Sequence, residues 1–284
     1  MYGELPKKIL CLADMHVLSN YGLALPEFEG EDGVIYRASP GQLRLLKYWK
    51  HLCKTVNESP KWQVKEVWVV GDALAGLNPA ERGRRRRGTL DEQVRVAVEL
   101  LDMMPKKATI KVWSGSEYHE SIETMLHERI VEQLKLRGRK ALFRGAWSFE
   151  KVGDTTAFVC HHSSTAIVYP ETPMIRDSRW FKIQYFDGKL PKVHWIIRAH
   201  KHISKFVDDR GIYIIQLPAW QTIAPWSRIL KQFPMWIPDI GAAFIWTEQG
   251  RRRYQEWLYP PFLIDEKGRV IEVPYDKKRY VEIE

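Results

Sequence analysis

The sequence predicts a mixed α/β fold with layered sheets. Short apolar, strand-like runs alternate with amphipathic helical segments as far as residue 136, and several more strand-like runs follow. No internal repeat and no long low-complexity linker interrupts this order. The 284 residues therefore read as one unit rather than as separate domains. Apolar residues make up 45% of the chain, enough for a sizeable core.

Each element has its own signal. Residues 8–13, apolar from Ile9 onward, read as a buried strand that ends at Asp14. Residues 41–56 place Leu43, Leu46, Trp49 and Leu52/Cys53 on one helical face, and Ser39-Pro40 is a start signal for that helix. A second strand spans 64–70 and ends at Gly71-Asp72. After a polar, glycine-bounded stretch, residues 89–104 form an amphipathic helix that stops before Pro105. Residues 108–113 are a third strand running into Ser114-Gly115-Ser116, and 121–136 are helical again. Strands follow at 155–160, ending at His161-His162, at 193–198, ending at Ala199-His200, and at 211–217. Beyond residue 240 the runs read as a meander closing the second sheet. A motif-bearing core over 8–217 would thus carry a strand-rich cap over 218–284 within one domain, with a poorly ordered tail from Asp276.

Composition narrows the function classes. No run of 18 apolar residues occurs, so neither a membrane span nor a membrane partner is predicted. The N-terminus lacks the apolar stretch and small-residue cleavage site of a secretory signal. The three cysteines, Cys11, Cys53 and Cys160, are too few and too scattered for a disulfide framework, which points to a reducing, cytoplasmic compartment. The net charge of +9 suits a polyanionic partner such as nucleic acid; the plainer reading is a basic soluble protein. Of the twelve tryptophans most belong to packing, and a few are candidates for base stacking.

Five strand ends deliver ligand-type residues: Asp14-Met15-His16, Gly71-Asp72, Glu117-Tyr118-His119, His161-His162 and His200-Lys201-His202. They hold six of the nine histidines. Loops at strand ends are where α/β proteins place their sites. Imidazole with carboxylate suits borderline divalent metals, and a shared carboxylate would set two ions about 3.5–4 Å apart for in-line phosphoryl displacement. Of the remaining histidines, His51 and His127 read as surface residues on helices and His194 as strand packing.

This series resembles the calcineurin-like metallophosphoesterases, whose pattern is D-x-H, G-D, G-N-H-[DE], H and G-H-x-H in that order. The resemblance covers residues 14–202, with Ala199 in place of the last glycine. Gly115-Ser116-Glu117-Tyr118-His119-Glu120 stands in place of G-N-H-[DE] and is similar to the G-[ST]-E-x-H form of phage-type members. The resemblance implies an α/β (α+β) layered two-sheet β-sandwich flanked by helices, holding two divalent ions. Manganese is the first choice, with iron, zinc, magnesium and nickel as alternatives. Asp14, His16 and His202 would hold the first ion and Asp72 would bridge. His161 and His200 would hold the second, with a carboxylate from Glu117 replacing the missing asparagine. His161 is preferred to His162 because it comes first after the strand and the two side chains face opposite ways; His162 would then face substrate. His119 would protonate the leaving oxygen. The implied activity is hydrolysis of phosphodiester bonds, most of all in nucleic acid, by in-line attack of a metal-activated hydroxide. The alternatives are a phosphomonoesterase on the same site and a non-catalytic nucleic-acid-binding protein. The phage-type variant suggests the cytoplasm of a microbial or virus-infected cell, and leaves a homo-oligomer open.

Two further features bear on substrate. Arg82, Arg84, Arg85, Arg86 and Arg87 lie in the loop after Asp72, where they read as a basic arm gripping phosphates or as a solvated charge run. Trp220, Trp226 and Trp236 fall in a segment rich in proline and aromatics, either a stacking wall beside the site or a cap packed on the sheet.

Overall fold

In the computed structural model, which describes residues 7–76, 88–117, 119, 125–161, 171–223 and 237–283, two sheets face each other and helices cover both outer faces. In chain order the strands are β1 (Lys8–Leu12), β2 (Glu27–Glu29), β3 (Ile35–Arg37), β4 (Val64–Val70), β5 (Thr109–Trp113), β6 (Ala141–Phe143), β7 (Trp147–Val152) and β8 (Thr155–Cys160). They continue as β9 (Trp195–Arg198), β10 (Lys205–Asp209), β11 (Ile212–Gln216), β12 (Ile240–Glu248), β13 (Arg251–Tyr259), β14 (Phe262–Ile264) and β15 (Val270–Glu272). The helices are α1 (Pro40–Glu58), α2 (Leu90–Asp102), α3 (Leu126–Leu136) and α4 (Glu171–Phe186). The first sheet has the order β13-β12-β1-β4-β5-β6 and the second β10-β11-β9-β8-β7.

Strand alternation produces the layers. On β1, Ile9 and Cys11 face the second sheet, joining Trp68, Trp113, Val159, Trp195 and Ile197. Leu10 and Leu12 face the other way, onto a core with Leu45, Trp49, Leu52, Val98 and Ile130 of α1, α2 and α3. The outer face of the second sheet buries Ile196, Ile212 and Ile214 against Met174 and Phe181 of α4. Capping boxes at Ser39 with Gln42 and at Thr89 with Glu92 start α1 and α2, as Ser39-Pro40 predicted for the first. All three cysteines are free and buried. Among the described residues no helix is long and apolar enough to cross a membrane.

Several expectations are corrected. The strands after residue 240 do not close the second sheet: β12 pairs antiparallel with β1, and β13 with β12, so both extend the first sheet. The tail is tied down, with the Val281 amide donating to Leu258 O at 2.7 Å and Arg279 lying 3.3 Å from Asp239. Leu43 is exposed; the buried face of α1 is rotated so that Gln42 turns inward and donates to Ser19 O at 2.9 Å. His127 is not a surface residue but fully buried, its Nε2 accepting the Ala73 amide at 3.1 Å. His51 is half-buried beside the Tyr259 hydroxyl at 3.0 Å. The β2–β3 hairpin, β6, β7, β10 and α4 add to the elements read from the sequence.

Candidate metal centre

β1, β4 and β5 run parallel in the first sheet, and β8 and β9 run parallel in the second. Their C-terminal ends therefore open to one side of the sandwich, and the loops there meet. The Asp14 amide donates to Gly71 O at 3.2 Å and the His16 amide to Asp72 O at 3.0 Å. The Ala199 amide donates to His161 O at 3.0 Å. Between the sheets, the His200 amide donates to Asp14 Oδ2 at 3.0 Å.

Backbone strain concentrates at these ends. Asp14, His16, Asp72, His200 and His202 all have left-handed φ, between 42° and 76°. Non-glycine residues adopt this region at a cost, and they hold it where the surrounding structure demands it. Ala199, which replaces a glycine of the family pattern, is not among the positive-φ residues, so its Cβ carries no conformational penalty.

Each carboxylate has one oxygen fixed by a backbone amide and the other turned toward imidazoles. Asp14 Oδ2 accepts from His200, and Asp14 Oδ1 lies 3.3 Å from His202 Nε2, 3.7 Å from His16 Nε2 and 3.8 Å from His161 Nε2. Asp72 Oδ1 accepts from the Ser116 amide at 2.7 Å, while Asp72 Oδ2 lies 2.9 Å from His161 Nε2 and 3.9 Å from His200 Nδ1. Asp14 Oδ1 is fully buried and has no hydrogen-bond partner among the described residues. A buried, unsatisfied carboxylate oxygen facing several ring nitrogens is a donor set that a divalent cation satisfies. Among the described residues three groups bring ligand atoms within 4.8 Å of one another: Asp14, His16 and His202; Asp72, His161 and His200; and His16, Asp72 and His119.

The electrostatics favour a cation. Burial alone would raise both carboxyls, but the neighbouring histidines outweigh it: His202 and His161 beside Asp14, and His161 beside Asp72. Both acids stay well below the usual carboxylate range. Burial also opposes charge on His161, yet Asp72 and Asp14 offset it and raise its pKa to about 9. Burial, with His119 nearby, lowers His16 to about 3, leaving a neutral imidazole able to ligate. Second contacts fix two rings. His161 Nδ1 donates to Val70 O at 2.8 Å, and His119 Nδ1 donates to Ala75 O at 2.7 Å. In both rings Nε2 is the nitrogen left for ligand or proton chemistry. The His119 ring stands edge-on to His16, 4.4 Å between centroids.

The structure thus brings together Asp14, His16, Asp72, His119, His161, His200 and His202. It does not bring Glu117: this side chain is exposed and belongs to none of the three groups. The residue directly after Gly115 turns inward instead, and the Ser116 hydroxyl lies 3.1 Å from Asp72 Oδ2 and 3.2 Å from Oδ1. Its position, where the family pattern has asparagine, was the available signal. Arg82, Arg84, Arg85, Arg86, Arg87, His162, Trp226 and Trp236 lie outside the described residues. Trp220 is buried against Trp49 and Tyr259, a packing role, and its amide donates to Asp14 O at 3.0 Å. Two supports had no clear sequence signal, the Asp239 amide on His202 O at 2.9 Å and the glycines at close approaches, whereas His127 under Ala73 stands at helical spacing with Ile130, Val131 and Leu134.

No family model and no curated protein matches the chain. Among solved structures it is similar to a single mutant of Vps29 from Entamoeba histolytica, at 11% identity, 89% of this chain, 99% of that one and a TM-score of 0.45. It is also similar to an archaeal phosphodiesterase, at 10% identity, 88% and 99% coverage and a TM-score of 0.44. A conserved protein of Streptococcus pneumoniae TIGR4, described as a predicted phosphoesterase, is 10% identical over 89% of each chain, with a TM-score of 0.39. At these values the α/β assignment rests on the chain's own two sheets and the helices on their outer faces.

Proposed function

We propose that the chain is a metal-dependent phosphoesterase that hydrolyses phosphodiester bonds, with nucleic acid as its substrate. One observation carries the reading: two Asp/His groups stand side by side with a fifth histidine, His119, in a group that shares His16 with one and Asp72 with the other. Asp14, His16 and His202 would hold one ion and His161 and His200 a second, with Asp72 between them. Manganese is the proposed metal. Divalent ions held there supply Lewis-acid polarisation of phosphoryl oxygens and a nucleophile at neutral pH. The remaining chemistry belongs to the chain. His119, its Nδ1 proton tied to Ala75 O, presents Nε2 to donate a proton to the leaving oxygen. Ser116 holds Asp72 in one orientation through its amide and hydroxyl. The resemblance of the motif series and the +9 net charge support a polyanionic diester substrate. Arg84, Arg85, Arg86, Arg87 and His162 are the proposed substrate contacts.

The test compares bis-p-nitrophenyl phosphate, p-nitrophenyl phosphate and labelled oligonucleotides with manganese present, alongside metal analysis of the protein. The expected result is two ions per chain, preference for diesters and loss of hydrolysis with EDTA. His119→Ala should lower diester turnover by about 10²–10⁴-fold while the metal content stays. Strong preference for the monoester would move the reading to a phosphatase. A protein that neither binds metal nor hydrolyses any of these substrates would refute the enzyme reading.

A further inference from the structure

α4 is poorly explained by packing alone. Its inner face buries Met174, Ser178 and Phe181 on the second sheet. Its outer face is not the polar surface a covered helix normally presents. At helical spacing Arg176, Arg179, Trp180, Ile183 and Phe186 fall within one stripe and all are exposed, Trp180 by 51%, Ile183 by 57% and Phe186 by 83%. Neither arginine has an ion-pair partner among the described residues, whereas Asp177 of the same helix pairs with Arg198 at 2.6 Å and Lys182 with Asp209 at 2.9 Å. Beside its C-terminal turn lies a groove of about 520 Å³ lined by Phe181, Tyr185 and Phe186 with Lys192 and Arg210, which shares Phe186 with the stripe.

The contacts of α4 fix its direction. Glu171 pairs with Lys205 at the start of β10, and Asp177 reaches Arg198 at the end of β9, two residues before His200. Lys182 reaches Asp209 at the far end of β10, and the groove includes Val193, just before β9, and Gly211 of the β10–β11 turn. The helix therefore starts on the metal-centre side of the second sheet, and its stripe runs about 15 Å from Arg176 to Phe186 toward the opposite end, at 1.5 Å per residue.

We infer that this stripe is a track for single-stranded nucleic acid, an inference that rests on the nucleic-acid reading above. Two unpaired guanidinium groups followed along one line by exposed aromatic planes offer what phosphates and unstacked bases require together. A duplex hides its base faces and gains only the charge. An acidic polypeptide would use the arginines, but has no need of a tryptophan and a phenylalanine laid open along the same line.

The test is fluorescence anisotropy of a labelled oligothymidylate of about a dozen nucleotides, with the full chain in EDTA, so that cleavage plays no part. Trp180→Ala and Phe186→Ala should each weaken binding by about tenfold. Arg179→Ala should weaken it and flatten the salt dependence. All three replace exposed side chains, so thermal melts and hydrolysis of bis-p-nitrophenyl phosphate should match the parent. A duplex of the same length should bind less tightly and respond little to the aromatic substitutions. Unchanged affinity in all three variants would overturn the track. So would equal competition by polyglutamate, which would identify an acidic polypeptide as the occupant, or loss of self-association in the variants, which would identify a second copy. Oligonucleotide binding without any hydrolysis refutes only the enzymatic reading; diester hydrolysis with no α4 effect on binding refutes only the track.

Discussion

Ala73, the residue after Asp72, donates its amide to His127 Nε2 at 3.1 Å, and both lie in the core. Removing the acceptor strands a buried N–H, which costs about 1–3 kcal/mol. His127→Ala should lower the unfolding free energy by at least that much in urea, because it also empties a packed site on α3. Since Ala73 is chained to Asp72, manganese affinity should fall as well. His51→Ala, which removes a half-buried contact to Tyr259 away from the cluster, should leave metal affinity unchanged. Equal metal affinity in the two variants would show that His127 serves only packing. Residue-level legibility follows the same division. Asp14, His16, Asp72, His161, His200 and His202 could be read because each lies within four residues of the end of a strand-like run, so a local pattern announces them. His127 was legible too, since it stands at i with Ile130, Val131 and Leu134 at i+3, i+4 and i+7 on the buried face of α3, but its polar ring reads as a surface group. Glu117 stands apart from these: its side chain is exposed, and the backbone after Gly115 turns the neighbouring Ser116 toward Asp72.

At the scale of elements, the β-strand ends act as delivery points only because two glycines let them approach closely. Gly71 has φ of 73°, and a Cβ there would collide with the His161 ring; a Cβ on Gly115 would collide with Asp72 Oδ1. Both partners are proposed metal ligands, so a methyl group at either position displaces a ligand rather than a spectator. Gly71→Ala and Gly115→Ala should each abolish tight manganese binding, measured by calorimetry, and Gly71→Ala adds the strain of a left-handed alanine, about 1–2 kcal/mol. Gly188→Ala and Gly250→Ala share the left-handed φ but meet open space. They should cost a similar amount of stability with no change in metal binding, which separates strain from displacement. The order of the parallel strands and of α1 and α2 was legible, since periodicity and capping residues are local. α4 was not, because its exposed aromatics blur the amphipathic contrast that marks a helix.

At the scale of the molecule, the sequence left the C-terminal strands as a cap, since nothing local states which edge a strand will join. The structure places β12 beside β1, with Ile9 opposite Ile245 and Cys11 opposite Ala243. Ile240, Phe244, Ile245, Leu258, Tyr259, Phe262 and Ile264 are all essentially buried, most of them against α1 and the first sheet. At about 1.5–3 kcal/mol each, their burial is worth on the order of 10–20 kcal/mol, as large as the net stability of a whole domain. The same region supports the metal centre, through the Trp220 amide on Asp14 O and the Asp239 amide on His202 O. A fragment ending at residue 217 should therefore not behave as an enzyme lacking a cap. It would expose the fully buried edge of β1 and an apolar face, both of which promote aggregation. Expressed alone, the fragment should be insoluble, or soluble without a cooperative urea transition and without manganese binding. Co-expression with residues 218–284 as a separate chain should restore both, because the two pieces share one core. A fragment that folds cooperatively and binds two ions by itself would show instead that β12 and β13 are dispensable to the sandwich.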